Sequence, residues 1–239
     1  MSGSGTDLHL VVPVYNEAEN FPRFHESVRA HVSTPHDITV VYDREDDSTV
    51  PVVRELARTD PGLILLRNRS TGVLGALKTG LAAAPGGAVV VTMADGSDDH
   101  RCVDRMYAMY LEGFDLVSAS RYMPGGEQRG GPMLKGLLSR GAGWSLHRFA
   151  GIPTRDPTNN FKLYRKTFLE RVTIESEGGF EIALELTVKA HLAGMLIGEV
   201  PSVWTDRVAG KSNFKLVRWL PRYLRWYRLA FRGARGRPA

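Results

Sequence analysis

The chain has 239 residues, of which 43% are hydrophobic and 24% are charged, the composition of a globular protein with a substantial core. Its formal charge of +5 is uneven, because residues 206–239 contain ten Lys and Arg against one acid and the preceding part is mildly acidic. The single cysteine, Cys102, excludes an internal disulfide, and no apolar run reaches the roughly 18 residues of a membrane span. The polar first residues do not resemble a signal peptide. We therefore expect a cytoplasmic protein, soluble or bound at a membrane surface.

The first 93 residues alternate between strand and helix patterns. Apolar runs predict strands at residues 8–15, 38–42, 63–67 and 88–93, and helical patterns between them extend to about residue 31 and cover 51–59 and 72–84. Such alternation predicts right-handed crossovers and a mainly parallel sheet.

The later part of the chain continues with less regular elements. Helices are predicted at 106–113, 134–150 and 180–192, and strands at 116–119, 160–164 and 195–204. Residues 121–131 are rich in glycine and basic residues, so we expect a flexible loop outside the core.

The basic tail predicts an amphipathic helix whose regular part begins at Pro221, in its first turn. Arginines fall on one side of a helical wheel and apolar residues on the other: Arg218, Arg222, Arg225 and Arg232 against Leu216, Trp219, Leu220, Tyr223, Tyr227 and Phe231. The helix either packs on the body or lies on an anionic membrane, and the two are compatible. Nucleic acid is not an expected partner, because the body has no recognition motif.

Three polar loops follow predicted strands, at residues 16–20, 43–47 and 95–99. Ligands of such sheets bind beyond the carboxyl ends of the strands, so these loops predict one site. The third loop places three carboxylates, Asp95, Asp98 and Asp99, within five residues. Hard oxygen ligands suit Mg²⁺ or Mn²⁺, which makes a metal site the favoured interpretation, with Asp95 as its firmest ligand. Asp98 or Asp99 is also suited to cap the helix that follows.

Several motifs together resemble the inverting family 2 glycosyltransferases. The motifs are Pro-Val-Tyr-Asn-Glu at 13–17 and the acidic loops at 43–47 and 95–99. Ser-Arg-Tyr at 120–122, Asn-Phe-Lys-Leu-Tyr-Arg at 160–165 and Arg-x-x-Gly-x-Ser at 207–212 are similar to the branch of dolichol-phosphate mannosyltransferases and other polyprenyl-phosphate glycosyltransferases. This chain departs from the usual pattern in having Tyr42-Asp43 for two adjacent acids, and Ala94-Asp95-Gly96 for an Asp-x-Asp motif.

The resemblance implies an α/β GT-A fold, the Rossmann-like fold of nucleotide-diphospho-sugar transferases, with a mainly parallel central sheet flanked by helices. It implies a glycosyltransferase domain over residues 1–205, followed by the basic amphipathic segment 206–239. It also implies that a divalent cation at Asp95 neutralises charge on the leaving nucleotide.

The resemblance further implies a binding site for a UDP or GDP sugar. The residues expected at this donor site are Pro13, Tyr15, Glu17, Asp43, Lys78, Arg207, Lys211 and Ser212. A role at a helix start explains Glu17 equally well. Lys78 is also an ordinary surface charge.

On the acceptor side, the resemblance implies that the region of Arg121 meets a polyprenyl phosphate. Arg129, Lys135 and Arg140 are close in sequence and complete a candidate phosphate-binding cluster. A phosphate acceptor is already anionic, so positioning and charge neutralisation suffice for catalysis. A hydroxyl acceptor would need a base, for which Asp156 is the candidate, with Glu181 behind it. A cap or a salt bridge explains both acids as well.

The favoured function is transfer of a sugar to a polyprenyl phosphate at the cytoplasmic face of a membrane, with Asp95, Arg121 and Asp156 as candidate catalytic residues. The first alternative is transfer to a hydroxyl of a natural product or cell-envelope glycan. The second is a nucleotide-sugar-binding protein without turnover. A homo-oligomer is compatible with all three.

Overall fold

The computed structural model describes residues 6–206 and 216–234, which form a layered α/β structure. The strands are β1 Leu8–Pro13, β2 His36–Tyr42, β3 Leu63–Arg67, β4 Ala88–Val91, β5 Leu116–Ser120, β6 Glu127–Arg129, β7 Lys162–Arg165, β8 Ile197–Pro201 and β9 Val203–Thr205. The helices are α1 Phe21–His31, α2 Thr49–Leu56, α3 Gly72–Ala83, α4 Val103–Leu111, α5 Met133–Ala150, α6 Lys166–Arg171, α7 Ile182–Leu192 and α8 Leu216–Ala234, with a 3₁₀ turn at His100–Cys102.

Seven strands form the central sheet in the order β3-β2-β1-β4-β7-β5-β8. All neighbouring pairs are parallel except those of β7, which is antiparallel to both β4 and β5. Every residue of β1 is buried, because helices cover both faces of the sheet. Helices α1, α2 and α4 pack on one face, and α3, α6 and α7 on the other. The predicted mainly parallel sheet is confirmed.

The predicted strand at 195–204 is wrong as a single element. The chain bends at Ser202, whose N–H donates to the Ser120 carbonyl and whose carbonyl accepts from the Glu127 N–H. Strand β9 therefore leaves the central sheet and pairs with β6 in a separate two-stranded parallel sheet. The loop predicted at 121–131 accordingly contains a short strand, which lies outside the core as expected.

Helix α8 packs on α5 and α7. Trp226 and Ala230 are buried against Leu146 of α5 and Leu184 of α7. The helix begins at Leu216, so the prediction that it starts at Pro221 is wrong. A proline inside the helix removes one backbone donor, which tertiary packing of the following turns tolerates here. Among the described helices, none combines the length and the hydropathy that a membrane span requires.

Candidate functional site

The loops after β1 and β2 are joined by hydrogen bonds at the carboxyl edge of the sheet. Asn16 has a left-handed backbone, with φ of 55°, and its N–H donates to Asp47 Oδ2 at 3.0 Å. The Ser48 N–H donates to Asn16 Oδ1 at 3.2 Å. The Glu17 N–H donates to Thr49 Oγ1 at 2.9 Å. Two of the predicted loops are thus brought together, and Asp47 supports them structurally.

The residues of the first motif differ in their surroundings. Pro13 ends β1, and Tyr15 is exposed. The Glu17 carboxylate accepts a hydrogen bond from Asn20 Nδ2 at 2.6 Å, just before α1 begins. The Glu17 side chain therefore contacts the N-cap residue of α1 and makes no cap bond to the helix itself.

Asp43 connects the end of β2 to the start of α3. Its carboxylate accepts from Asn68 Nδ2 at 2.6 Å and from the Gly72 N–H at 2.7 Å. Beside it lies a cleft of about 460 Å³, lined by Arg69, Ser70, Thr71, Lys78, Glu177 and Gly178 among others. Lys78 Nζ donates to the Ser176 carbonyl at 3.0 Å. Asn68 was not predicted from the sequence, since only the folded chain places it against Asp43.

Asp98 is held within the acidic loop after β4. Its Oδ2 accepts from Thr92 Oγ1 at 2.9 Å and from the Met93 N–H at 3.0 Å. Burial, and then the neighbouring Asp95 carboxylate, raise the pKa of Asp98 to about 7. Asp95 is itself buried and accepts from the Ser97 N–H at 3.1 Å. These two acids therefore lie together in surroundings that favour a nearby positive charge.

Asp99 has different partners. Both of its oxygens accept from the Arg101 guanidinium, at 2.7 and 2.9 Å, and Oδ1 caps the 3₁₀ turn by accepting from the Arg101 N–H. Burial alone would raise the pKa of Asp99, but Arg101 holds it below its ordinary value. The capping alternative thus describes Asp99. Within the described part of the chain, no three His, Cys, Asp or Glu side chains are grouped as a metal site.

A buried polar chain supports Asp98 from behind. His100 Nε2 lies 3.2 Å from Thr92 Oγ1, and His100 Nδ1 lies 2.9 Å from Ser27 Oγ on α1. Burial lowers the pKa of His100 to about 4, so the ring is neutral near pH 7. Thr92 and His100 thereby fix the orientation of Asp98, and neither was predicted, because no local pattern marks residues that act through another side chain.

Arg121 forms a bidentate ion pair with Asp156. Arg121 Nε and Nη2 donate to the two carboxylate oxygens at 2.7 and 2.9 Å, and the Arg121 N–H donates at 3.1 Å. Burial alone would raise the pKa of Asp156, but the guanidinium reverses this and holds it below its ordinary value. The positive charge of Arg121 offsets a small part of the rise in the pKa of Asp98, which burial and Asp95 cause. Arg121 therefore lies within electrostatic reach of the acidic loop.

The predicted cationic cluster is assembled only in part. The Arg121 guanidinium lies 4.8 Å from the centre of the Tyr122 ring, and that of Arg140 lies 5.9 Å from the same ring. Arg129 instead pairs with Glu127 on β6, at 2.8 Å. Lys135 is exposed on the first turns of α5. The sequence did not predict Tyr122 as a site residue, because only the folded chain places its ring between two arginines.

Two further buried groups hold the loops around this ion pair. Lys162 Nζ donates to the backbone carbonyls of Asp156 and Asn159, and burial lowers its pKa to about 7. The Glu181 carboxylate accepts from the Gly178 and Gly179 N–H groups at 2.6 and 2.7 Å. Glu181 thus holds the loop before α7, and its side chain makes no cap hydrogen bond to that helix. The predicted donor residues Arg207, Lys211 and Ser212 lie outside the described residues.

Comparison with known proteins identifies the class. The family model for glycosyl transferase family 2 matches residues 9–173. The polyprenol monophosphomannose synthase of Mycolicibacterium smegmatis is 31% identical over 234 residues, spanning 88% of this chain and 85% of that protein. The dolichol-phosphate mannosyltransferase of Pyrococcus furiosus is 27% identical over 92% of this chain, which spans only 64% of that protein.

Solved structures share the fold. Glucosyl-3-phosphoglycerate synthase from Mycobacterium tuberculosis, in complex with Mn²⁺, UDP and glucosyl-3-phosphoglycerate, superposes with a TM-score of 0.63 at 18% identity, covering 98% of this chain and 82% of that one. TarS 1–349 from S. aureus, bound to UDP-GlcNAc, gives a TM-score of 0.67 at 18% identity, covering 94% and 66%.

The fold and the site define a GT-A glycosyltransferase. The chain belongs to glycosyl transferase family 2. The family resemblance drawn from the motifs is therefore confirmed, as are the fold class and the enzyme class, and the binding protein without turnover is not supported.

Proposed function

We propose that the protein transfers a sugar, with inversion, from a nucleotide-diphosphate sugar to a polyprenyl phosphate at the cytoplasmic face of a membrane. One observation carries the proposal. Asp156 holds the Arg121 guanidinium in a fixed orientation, within electrostatic reach of Asp98. A cation suited to an acceptor phosphate thus lies beside the acids suited to the donor side.

The acidic loop fits a divalent cation. Asp95 and Asp98 are close enough for one carboxylate to raise the pKa of the other, and a cation would relieve their repulsion. Two carboxylates are a usual protein contribution to a Mg²⁺ or Mn²⁺ site that is completed by substrate phosphates. When bound, the cation would stabilise charge on the leaving nucleoside diphosphate. The Mn²⁺ and UDP held by the M. tuberculosis neighbour support the same pairing here.

The donor nucleotide fits the cleft beside Asp43. The cleft joins the start of α3 to the loop that contains Glu177, and Lys78 lines it. Backbone N–H groups at a helix start and a lysine favour an anionic ligand. We assign the nucleotide part of a UDP or GDP sugar to this side of the site, with Pro13, Tyr15 and Glu17 at its border.

The environment of Asp156 favours a phosphate over a hydroxyl acceptor. A hydroxyl acceptor needs a general base, and a base must be free to take a proton. Both Asp156 oxygens accept from Arg121, and the pKa of the carboxyl is lowered. Asp156 therefore positions Arg121. A phosphate acceptor needs no base, which agrees with the names of the two relatives.

The proposal is tested by measuring sugar transfer from UDP- and GDP-sugars to a polyprenyl phosphate and to the matching polyprenol, with Mn²⁺ or Mg²⁺. We expect product with the phosphate and none with the alcohol, with the anomeric configuration inverted. Equal transfer to the polyprenol would overturn the acceptor assignment.

A variant of Arg121 tests the role of this residue in the acceptor site. Arg121→Ala should raise the KM for the lipid phosphate more than the dissociation constant of the nucleotide sugar. Parallel loss of both would contradict an acceptor role and would indicate that the ion pair only stabilises the loop.

A further inference from the structure

Helix α5 exposes an apolar surface to solvent. Met133 is 90% exposed, Leu137 70%, and Trp144 and Phe149 59% each, and Leu134 and Leu138 are exposed as well. Single exposed apolar residues are ordinary, but a contiguous apolar surface of this kind marks an interaction site. We name these six residues the α5 apolar face.

The α5 apolar face lies on one side of the helix. At about 100° per residue, its six members span roughly 160° of the circumference. The opposite side is buried, through Gly143, Leu146 and Ala150. A β-carbon on Gly143 would lie 2.1 Å from the Arg155 carbonyl, so that side is in close contact with the loop that contains Asp156. The helix therefore cannot turn its apolar face inwards.

Basic residues border this face. Arg140 lies at one edge, Lys135 at the other, and Arg148 within it, and all three are exposed. An apolar face flanked by cations matches the surface of an anionic bilayer. The apolar side chains would contact the hydrocarbon region, and the basic side chains would lie at the level of the lipid phosphates. A water-facing helix would carry polar residues here instead.

The same helix reaches the proposed acceptor site. Ser139, on the buried side of α5, accepts from Arg121 Nη2 at 3.3 Å, and Arg140, at the edge of the apolar face, lies over the Tyr122 ring. The α5 apolar face thus begins next to the cation assigned to the acceptor phosphate. The hydrocarbon part of such an acceptor needs an apolar surface at this position.

We propose that the α5 apolar face inserts into the surface of an anionic lipid bilayer and receives the hydrocarbon chain of the acceptor there. The inference rests on the proposed function for its second part and on exposure and charge for its first. It assigns the membrane contact to α5. On α8, Trp226 and Ala230 pack against α5 and α7, whereas Leu220 and Leu224 are exposed, so packing leaves the predicted membrane contact of α8 open.

Helix α8 then acts as the support of α5. The Tyr227 hydroxyl lies 2.9 Å from Ser145 Oγ of α5. On the other side, Lys189 Nζ of α7 lies 5.0 Å from the centre of the Trp226 ring, and the Arg225 guanidinium lies 4.5 Å from it. These contacts fix α5, and its large apolar side chains remain exposed.

The test is co-sedimentation of the full chain with vesicles containing phosphatidylglycerol, comparing wild type with the double variant Leu137→Gln/Trp144→Gln. Both side chains are exposed, so the variant should fold, which circular dichroism verifies. We expect the partition coefficient to fall by at least about 10-fold, because two large apolar side chains that would be buried in the bilayer are replaced by polar ones. The matched control is Leu111→Gln on α4, where Leu111 is 66% exposed, and it should bind like wild type.

Two results would overturn the inference. One is unchanged vesicle binding by the double variant. The other is a wild-type dimer that the double variant breaks, with no vesicle binding by either, because a second copy of the chain would then cover the face. Neutral phosphatidylcholine vesicles should bind wild type more weakly than anionic ones, and equal binding would contradict the role of the basic border.

An activity comparison separates this inference from the proposed function. The double variant should keep wild-type transfer to a short, water-soluble isoprenyl phosphate and lose transfer to a long-chain acceptor in vesicles. Equal loss with both acceptors would overturn the assignment of the hydrocarbon chain to α5. If wild type transfers no sugar to either acceptor, the proposed function fails, whereas vesicle binding still decides the membrane contact.

Discussion

The acidic loop after β4 and the segment around Arg121 each bury a carboxylate, with opposite consequences. Asp98 is surrounded by uncharged donors and by Asp95, and its pKa rises to about 7. Asp156 receives two guanidinium hydrogen bonds, and its pKa falls below the ordinary value. Asp156 is paired with a guanidinium at hydrogen-bond distance, whereas the donors to Asp98 are an uncharged hydroxyl and a backbone N–H.

The difference indicates how the two regions divide the work. An ion pair that the chain itself completes fixes geometry, because removing either partner leaves a buried charge. A pair of acids close together favours binding of an external cation, because binding removes their repulsion. Asp156 thus fixes the orientation of Arg121, whereas Asp95 and Asp98 are the pair of acids that we propose for the cation.

The largest effect is expected from Asp95→Ala. It should lower kcat/KM for sugar transfer by at least about 1000-fold, because a bound cation stabilises developing charge by several kcal/mol. Initial rates with Mn²⁺ measure the loss, and a thermal melt shows that the variant is folded. Asp99→Asn is the matched control and should keep most of the activity, since Asp99 engages Arg101. A comparable loss in Asp99→Asn would show that all three acids hold the cation.

Next in size is Asp156→Asn, which leaves the Arg121 guanidinium buried beside a neutral side chain. We expect the free energy of unfolding to fall by about 3 kcal/mol, as breaking one side of a buried pair does. Urea denaturation measures the change. The double variant Asp156→Asn/Arg121→Met should recover part of the loss, because it removes the stranded charge. A loss under about 1 kcal/mol in the single variant would mean that water screens the pair as at a surface.

The third prediction concerns pH in the absence of metal. Folding raises the pKa of Asp98 from its ordinary value of 3.8 to about 7, because the charged carboxylate is disfavoured in the folded chain. The free energy of unfolding therefore decreases as the pH rises through the range between these two pKa values. Asp98→Asn removes that loss and keeps an oxygen for Thr92 and Met93. We therefore expect the variant to be more stable than wild type at pH 8 by about 2 kcal/mol, roughly half of what the full shift converts to, because solvent and relaxation of the loop screen part of the effect.

Denaturant midpoints at pH 5 and pH 8, with a chelator present, measure this effect. The advantage of Asp98→Asn should be smaller at pH 5 than at pH 8, and the variant should lose Mn²⁺-dependent activity. Equal stability of the two proteins at pH 8 would mean that Asp98 is already compensated within the chain, and the contrast with Asp156 would disappear.

The sequence was informative where the pattern is local. Strands β1 to β4 begin and end within two residues of their predicted positions, because both faces of the sheet are covered and each strand is a continuous apolar run. The insertion of β7 between β4 and β5 was not predicted, because strand order depends on contacts between distant segments. The bend at Ser202 was not predicted for the same reason, since its hydrogen bonds join it to the distant residues Ser120 and Glu127.

At the site, the sequence identified the acids and the arginine but not their partners. Asp98 and Asp99 are adjacent and chemically identical, and only the fold gives one to Thr92 and the other to Arg101. Asp156 was a candidate base because its partner is 35 residues away. The sequence predicted helix α5 but not its exposed apolar face, because a helix pattern does not show which side packs against the rest of the protein.

The smallest effect is expected from Arg101→Ala, which removes the ion pair of Arg101 with Asp99. This pair has the same groups as that of Arg121 with Asp156, but its arginine is more exposed. Arg101 also donates two hydrogen bonds to one carboxylate, but its side chain is 63% exposed, against 12% for Arg121. Water replaces an exposed guanidinium, so the free energy of unfolding should change by less than about 1 kcal/mol. Urea denaturation of both alanine variants makes the comparison. A loss from Arg101→Ala as large as that from Arg121→Ala would show that geometry, and not burial, sets the strength of these pairs.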